Sequence, residues 1–167
     1  LVIPEDVNQP DFADVAGQSA ARFAAEVAAS GGHHLLLIGP PGAGKTMIAA
    51  RLPTILPALN IEQALEVTAV HSIAGTLGNR SPMSRLAPIV SPHHSATRVA
   101  MVGGGSSAIR PGACSLAHHG VLFIDEAPEC ASGVLDALRQ PLESGTVTIA
   151  RSVGSLTFPA QFLLILA

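Results

Sequence analysis

The apolar residues of this chain fall into short continuous runs that alternate with segments of helical character. Three runs have the length and composition of strands buried on both faces, and they lie at 35–38, 121–124 and 162–166. Strands that alternate with helices along a chain favour a parallel sheet covered by helices. The pattern therefore predicts an α/β fold with a mostly parallel sheet.

The first predicted helix covers residues 19–29. Phe23 and Val27 stand four residues apart in it, which is a helical spacing. The glycines of Ser30-Gly31-Gly32 follow directly, and glycine is the usual residue at a helix C-terminus. This helix therefore leads into the first strand run.

Three further helices are predicted after that run. A short one starts at Thr46 and must stop at Pro53, because proline has no N–H to donate. Asn60 and Gln63 have the spacing of a capping box at the start of the next one. The last is predicted at 134–143.

Two other segments depart from this alternation. Residues 75–112 are rich in Gly, Pro, Ser and Arg, and a loop of that length within a domain is usually functional or mobile. Residues 146–149 and 155–158 flank Arg151-Ser152-Val153-Gly154, a pattern typical of a β-hairpin.

Composition limits the class of protein. The chain has 167 residues, of which 48% are hydrophobic and 13% are charged, so we expect one domain with a buried core. The net charge of −3 excludes a globally basic surface, and nucleic acid could be bound only through local patches. Cys114 and Cys130 lack the spacing of a metal site or a disulfide framework, which predicts a reduced, cytoplasmic protein. No apolar run approaches the ~20 residues of a membrane span.

The two ends of the chain predict that it is a fragment of a longer protein. It begins at Leu1 rather than at a methionine, and its last residues form the apolar run 162–166 followed only by Ala167. Natural domains rarely stop on their most apolar strand.

The segment from Gly39 to Thr46 reads GPPGAGKT and directly follows the apolar run 35–38. It fits the phosphate-binding loop G-x-x-x-x-G-K-[ST] at every fixed position, in the required strand-to-helix context. Glycines let successive N–H groups point at phosphate oxygens, and the following helix adds the positive end of its dipole. Lys45 can reach the β- and γ-phosphates, and the Thr46 hydroxyl can bind Mg²⁺. We therefore predict ATP and Mg²⁺ as cofactors; the alternative is a glycine-rich turn that carries a lysine by coincidence.

Asp125 and Glu126 directly follow the run 121–124. The carboxyl end of a buried parallel strand lies beside the phosphate loop in such folds. Asp125 is suited to hold Mg²⁺, and Glu126 to polarise the water that attacks the γ-phosphate. Lys45, Asp125 and Glu126 are thus the predicted catalytic residues. The pair favours an ATPase over a small-molecule kinase, and the alternative is a solvated acidic pair at a strand end.

Three histidine pairs could suggest a metal site: His33-His34, His93-His94 and His118-His119. Adjacent residues on a strand point to opposite faces, so we expect these pairs to pack and to form hydrogen bonds instead. On the helix at 134–143 we expect Arg139 and Glu143 to form a surface ion pair. We expect three leucines of this helix to face the core: Leu135, Leu138 and Leu142.

Taken together, these stretches resemble the AAA+ ATPases of the magnesium-chelatase-like branch, in particular the bacterial ComM/YifB group. The resemblance covers nearly the whole chain, and its later stretches are far more specific than the phosphate loop. The stretches that carry the resemblance are Asp14-Val15-Ala16-Gly17-Gln18, the segment from Gly32 to Gly42, the segment from Leu65 to Ser72, Ser91-Pro92-His93-His94-Ser95, Val102-Gly103-Gly104-Gly105, Ala117-His118-His119-Gly120 and the segment from Leu138 to Gly145.

The resemblance implies a P-loop NTPase core at 1–167, with a helix-2 insertion within 75–112 and a pre-sensor-1 hairpin at 146–159. Val15 and Ala16 would contact the adenine, although a role in the core is an equal alternative. The nucleotide-binding residues that it implies are Val15, Ala16, Gly39, Pro40, Pro41, Gly42, Ala43, Gly44, Lys45, Thr46 and Met47.

The resemblance also implies a hexameric homo-oligomer that acts as a helicase on single-stranded or branched DNA. Arg151 near the hairpin tip is the first candidate for a DNA contact, with a solvated tip as the alternative. Relatives often carry arginines where this chain has Ala87 and Val90, which leaves Arg98 and Arg110 as further candidates. The family's sensor-1 asparagine, arginine finger, lid helices and N-terminal Lon-protease-like domain would lie outside the chain.

Two other functions stay open at this point. One is the motor subunit of a magnesium chelatase, which drives metal insertion into a porphyrin with the same core. The other is a scaffold gated by nucleotide with little turnover.

Overall fold

A computed structural model describes residues 10–78, 82–105, 108–151 and 154–167, and of Arg151 it describes the backbone only. In chain order the strands are β1 (Leu35–Leu36), β2 (Ile89–Val90), β3 (Gly103–Gly104), β4 (Arg110–Pro111), β5 (Gly120–Ile124), β6 (Thr146–Arg151), β7 (Gly154–Pro159) and β8 (Phe162–Leu166). The α-helices are α1 (Ser19–Gly31), α2 (Lys45–Arg51), α3 (Ile61–Ala74), α4 (Arg98–Val102), α5 (Ala113–Leu116), α6 (Ser132–Asp136) and α7 (Arg139–Ser144). Three-residue and four-residue 3₁₀ turns stand at Phe12–Asp14, Leu52–Ile55 and Ala127–Glu129.

The central sheet has four parallel strands in the order β1-β8-β5-β2. β5 lies in the middle and pairs with β8 over its full length, from Gly120 opposite Phe162 to Ile124 opposite Leu166. This arrangement confirms the predicted α/β fold with a mostly parallel sheet. It also brings the carboxyl ends of β1 and β5 to the same edge of the sheet.

Both faces of β5 are covered, as its continuous apolar run predicts. Val121 and Phe123 pack with Ile48, Leu52 and the segment before α1 on one face. Leu122 and Ile124 pack on the other face against a cluster that includes Met101, Ala113, Cys114, Val134, Leu138 and Val147. All five residues of β5 are buried.

The first helix is present as predicted, but the face that carries Phe23 and Val27 is exposed to solvent rather than packed on the sheet. Phe23 and Val27 are exposed, at 68% and 47% of their surface, whereas Ala25, Ala28 and Ala29 are buried. Small side chains let this helix lie close against the sheet. It ends at Gly31, and the following Gly32 has a left-handed φ of 65°, as the glycine ending predicted.

The elements around the phosphate loop differ slightly from their predicted bounds. The strand predicted at 35–38 ends at Leu36, although the Leu37 N–H still donates to Leu166 O at 2.9 Å. The helix predicted from Thr46 begins at Lys45. The α-helix ends at Arg51, before Pro53, as predicted, and Pro53 then occupies one of the first two positions of a 3₁₀ turn, where no N–H is required.

The capping box of α3 is confirmed in both directions. Gln63 N–H donates to Asn60 Oδ1 at 2.9 Å, and Asn60 N–H donates to Gln63 Oε1 at 3.0 Å. The helix packs through Ala64, Val67 and Val70, and its Glu66 lies on the outer side at the base of the sheet.

Within 75–112, the described residues 75–78, 82–105 and 108–112 contain more regular structure than the irregular composition predicted. They contain the edge strand β2, the helix α4 with its fully buried Met101, and the antiparallel pair β3–β4. β3 and β4 therefore form a small ribbon between α4 and α5, where the resemblance places an insertion in a helix.

The predicted helix at 134–143 is two helices, α6 and α7, separated by a turn at Ala137 and Leu138. Pro141 cannot donate to the carbonyl four residues before it, which interrupts a continuous helix. Leu138 is buried and Leu135 is partly buried, but Leu142 is 38% exposed, so its core prediction is wrong. Among the described residues, Arg139 and Glu143 form no ion pair.

The hairpin predicted at 146–159 is confirmed as β6 and β7, which pair antiparallel from Thr146 opposite Pro159 to Arg151 opposite Gly154. Its base is buried in the core by Val147 and Phe158, which lie opposite each other. Residues 154–157 in its outer half are exposed. The hairpin thus projects from a fixed base.

No helix in the described part of the chain is long and apolar enough to cross a membrane.

Candidate functional site

The phosphate loop connects β1 to α2 at the carboxyl edge of the sheet. Gly42 and Gly44 have φ values of 78° and 83°, a left-handed conformation that side chains disfavour. Lys45, the only lysine of the chain, lies over its own loop: Nζ donates to Gly39 O at 2.9 Å and to Pro40 O at 3.2 Å. The loop therefore has the backbone shape and the cation that phosphate binding requires.

Thr46 and Asp125, which are 79 residues apart in the chain, meet across this edge. Thr46 Oγ1 donates to Asp125 Oδ2 at 2.7 Å. Thr46 lies in the first turn of α2, and Asp125 follows the last residue of β5. A hydroxyl and a carboxylate in contact form the kind of oxygen set that Mg²⁺ prefers, so these residues fit the ion.

Glu126 follows Asp125 in a left-handed backbone conformation, with φ of 54°. Its N–H donates to Asp125 Oδ1 at 3.1 Å, and its carboxylate is exposed. The side chain of Glu126 therefore leaves the end of β5 in a different direction from that of Asp125. A positive φ in a non-glycine residue is often found at functional positions.

The Glu126 carboxylate has a partner that the sequence did not reveal. His94 Nδ1 lies 2.7 Å from Glu126 Oε2. His94 follows β2, which is the direct neighbour of β5 in the sheet. Asp125 and Glu126 line a cavity of about 320 Å³ together with Ser91, Pro92, His93 and His94. The contact between His94 and Glu126 could not be predicted from the sequence, because it depends on the order of the strands. The Ser-Pro-His-His stretch itself was visible in the sequence.

The segment before α1 contacts the phosphate loop through a residue other than those predicted. Gln18 Nε2 donates to Ala43 O at 3.1 Å, and Gln18 lines a groove of about 250 Å³ with Ala43, Lys45 and apolar residues of α1 and β1. Val15 is 1% exposed and packs in the core, so its side chain has the alternative, structural role. Ala16 is exposed. Met47 is partly buried against the core cluster beneath the loop.

The candidate DNA-contacting arginines lie on three different elements. Arg98 begins α4 and is exposed, and Arg110 lies exposed on β4. The backbone of Arg151 ends β6 opposite Gly154, and its side chain lies outside the described part of the structure.

A second polar cluster lies at the opposite edge of the sheet, where β5 begins. His118 Nε2 and His119 Nε2 are 3.1 Å and 2.8 Å from the same oxygen, Glu66 Oε2. The expected hydrogen-bonding role is confirmed for this pair, but its premise, that adjacent histidines point to opposite faces, does not hold here. These residues lie in a turn rather than on a strand, and the φ of 57° at His119 turns both rings to the same side.

The protonation of His118 argues against a metal ion in this cluster. The Gln161 N–H donates to His118 Nδ1 at 3.1 Å, so the proton of the neutral ring lies on Nε2 and is donated to Glu66. A metal bound at Nε2 would require the opposite tautomer. Burial lowers the pKa of His118, and the hydrogen bonds from His119 and His118 lower the pKa of Glu66. The cluster is therefore a hydrogen-bonded clamp between α3 and the bases of β5 and β8.

Both cysteines are free thiols. Burial raises the pKa of Cys114 to about 12, so this thiol stays neutral and belongs to the core.

Comparison with known proteins agrees with this geometry. The family model described as "Magnesium chelatase, subunit ChlI" matches residues 11–167. The crystal structure of NtrX from Brucella abortus superposes with a TM-score of 0.60 at 17% identity, and the match covers 91% of this chain and 30% of that one. At that identity the likeness shows the fold alone, which is that of a P-loop NTPase core.

Three relatives are much more similar in sequence. An uncharacterized protein of Mycobacterium tuberculosis H37Rv is 57% identical over 157 residues, which cover 94% of this chain and 31% of the relative. YifB of Escherichia coli K12 is 49% identical over 159 residues, covering 95% and 31%. Competence protein ComM of Haemophilus influenzae Rd is 47% identical over 160 residues, covering 96% and 31%.

The chain thus spans about a third of the length of these relatives. The family match extends over nearly all of it, through the phosphate loop, the Asp125-Glu126 pair, the β3–β4 ribbon and the β6–β7 hairpin. The chain belongs to the magnesium-chelatase ChlI family, within the branch of AAA+ ATPases that includes YifB and ComM.

Proposed function

We propose that this chain is the nucleotide-binding core of an ATP-hydrolysing ring motor. The observation that carries the proposal is the contact between Thr46 and Asp125, with Glu126 beside it at the end of β5. It joins the phosphate loop to an acidic pair in the arrangement that Mg-dependent ATP hydrolysis uses.

Each residue has a definite role in this mechanism. Lys45 neutralises the β- and γ-phosphates, and the loop from Gly39 to Gly44 binds phosphate oxygens through its N–H groups. Thr46 and Asp125 would hold Mg²⁺, which when bound would stabilise negative charge on the phosphates. Glu126 accepts the proton of the attacking water. Ala16 and Met47 would flank the bound nucleotide without contributing to the chemistry, and Val15 would support this segment from the core.

We further propose that the full-length protein is a cytoplasmic homo-oligomer, a hexameric ring that acts on single-stranded or branched DNA. The resemblance to the ComM group implies this substrate class, and one relative at 47% identity is named a competence protein. The hairpin β6–β7 also supports a DNA substrate. Its base is buried and its outer half is exposed, as expected of an element that reaches into the pore of a ring. Arg151 would contact DNA phosphates there, with Arg98 and Arg110 as further contacts. Such contacts are independent of sequence and weaken with salt.

The test is the ATPase rate of the full-length protein with and without single-stranded and branched DNA. We expect DNA to stimulate turnover and Lys45→Ala to abolish both turnover and ATP-driven DNA remodelling. Remodelling that persists in Lys45→Ala would contradict the motor function.

A matched pair of variants addresses DNA. Arg151→Ala should reduce stimulation by DNA and the salt dependence of binding, whereas Arg139→Ala, an exposed arginine on α7, should leave both unchanged. Equal stimulation in the two variants would remove Arg151 from the proposed DNA contact.

The description of the family model favours a second candidate, the motor subunit of a magnesium chelatase. That function predicts ATP-driven metal insertion into a porphyrin and no stimulation by DNA. A third outcome, nucleotide binding without turnover in the full-length protein, would indicate a nucleotide-gated scaffold.

A further inference from the structure

The carboxylate of Glu126 is held by a histidine from the neighbouring strand. His94 Nδ1 lies 2.7 Å from Glu126 Oε2, a distance typical of a strong, charge-assisted hydrogen bond. Because Glu126 Oε2 is occupied by this contact, Oε1 is the oxygen left to accept a proton from water. The Asp125 and Glu126 side chains thereby have separate partners: Thr46 for the first and His94 for the second.

His94 is itself held in place. Its ring stacks on that of His93, with centroids 4.0 Å apart and planes inclined by 40°. His93 Nδ1 in turn contacts Ser95 Oγ at 2.8 Å and accepts the Ser95 N–H at 3.3 Å. The pairing of Val90 with Leu122 fixes where this segment leaves the sheet relative to β5. The position of Nδ1 is therefore set by the fold.

The backbone of Glu126 explains why such a partner matters. Its left-handed φ of 54° directs the side chain away from the extended path of β5. The carboxylate is more than half exposed, at 56%, so its own surroundings restrict it little. A base that is exposed needs a third group to hold it in line with the reacting atoms.

We propose that His94 is a positioning residue for ATP hydrolysis, which orients the Glu126 carboxylate through the Nδ1–H···Oε2 hydrogen bond. This inference rests on the proposed ATPase function. His94 touches the base rather than the nucleotide. Its loss should therefore slow the chemical step without weakening ATP binding.

The experiment compares three substitutions of His94 in the full-length protein by steady-state ATPase kinetics. His94→Ala should lower kcat by about 10- to 100-fold, since a misplaced catalytic group commonly costs that much. The KM for ATP should change by less than about twofold, because the contacts of the phosphate loop are intact.

The other two substitutions test which ring nitrogen acts. The amide nitrogen of Asn can take the position of Nδ1, whereas that of Gln takes the position of Nε2, farther from the backbone. His94→Asn should therefore recover most of kcat, and His94→Gln should resemble His94→Ala. A general loss of structure would not distinguish these two variants.

The controls separate this inference from the proposed function. His33→Ala replaces an exposed histidine ahead of β1 and should keep the wild-type kcat. Glu126→Gln should abolish turnover, and adding His94→Ala to it should cause no further loss, because both act on one step.

If wild type hydrolyses ATP and Lys45→Ala does not, the ATPase function stands. Three results would then overturn the role of His94 without affecting that function. They are an unchanged or raised kcat in His94→Ala, equal rates for the Asn and Gln variants, or a loss that appears only in KM. Equal background rates for wild type and Lys45→Ala would overturn both the ATPase function and this inference.

Discussion

Gly120 begins β5 directly against the backbone of Pro88. A Cβ built on Gly120 would meet the Pro88 carbonyl oxygen and would lie 2.7 Å from its ring carbons. Pro88 is fully buried, and its carbonyl accepts the Val121 N–H at 2.8 Å, so neither side can yield easily. Space, rather than backbone conformation, requires glycine at this position.

Gly120→Ala should therefore destabilise the fold by about 1–3 kcal/mol, the usual cost of overpacking a core. The matched control is Gly133→Ala in α6, where no described atom lies within 4 Å of the built Cβ. Alanine in a helix should be neutral or stabilising there, by up to about 1 kcal/mol. Urea denaturation of both variants measures this, and equal stability would contradict the packing argument.

Residue patterns predicted one half of the candidate site well. The phosphate loop and the Asp125-Glu126 pair are defined by local spacing, and the structure brings Thr46 and Asp125 into contact as expected. His94 could not be found in this way, because its contact with Glu126 depends on which strand lies beside β5. Gln18 was missed for a similar reason, since its partner is a backbone carbonyl 25 residues away.

At the scale of elements, helix α3 is tied to the base of the sheet by one carboxylate. Glu66 Oε2 forms hydrogen bonds with Nε2 of both His118 and His119. The Gln161 N–H, just before β8, donates to Nδ1 of His118. The clamp thus joins three elements that are far apart in the chain. The other charged groups nearby, Glu62 on α3 and Arg110 on β4, are exposed.

This clamp predicts a loss of stability at acid pH. The pKa of His118 in the folded chain is lowered by burial from its ordinary value of 6.5, so the unfolded chain takes up the proton first. The stability contributed by neutral His118 is present above about pH 6.5 and decreases as the pH falls below it. The pKa of Glu66 is also lowered, from 4.5, and its contribution is lost at still lower pH.

Between pH 7.5 and 5.5 we expect the free energy of unfolding to fall, by at most about 1.4 kcal/mol per pH unit for one proton. His118→Asn should flatten this dependence, because Asn can still accept the Gln161 N–H but does not titrate. His33→Ala serves as the control at an exposed histidine. Denaturation curves that keep the wild-type pH dependence in His118→Asn would show that other groups cause it.

Elements were predicted more reliably than their faces and ends. Continuous apolar runs identified the inner strands, because a strand buried on both sides needs apolar residues at every position. Helix faces were harder: α1 buries alanines and exposes Phe23, so the largest side chains did not mark the core. The division of α6 from α7 at Ala137 and Leu138 also required the structure, since Pro141 lies near the start of α7, where a proline is tolerated.

At the scale of the whole molecule, the chain covers about a third of the relatives that it matches, 31% in the case of ComM. The structure of the core alone brings together the phosphate loop, the acidic pair and His94.

We therefore expect the 167-residue chain to bind ATP weakly and to hydrolyse it poorly. Titration with a fluorescent ATP analogue and a phosphate-release assay measure the two properties against the full-length protein. Turnover by the short chain that equals that of the full-length ring would contradict this expectation.

The sequence by itself determined the features that depend on residues close together in the chain: the phosphate loop, the acidic strand end, the capping box and the hairpin β6–β7. Their chemistry needs particular residue types at fixed short spacings, so the pattern is readable without a fold. Only the tertiary structure decided the order of the strands, and with it the pairing of His94 with Glu126 and of His118 and His119 with Glu66. Such contacts depend on the packing and register of the whole sheet, which no local spacing specifies.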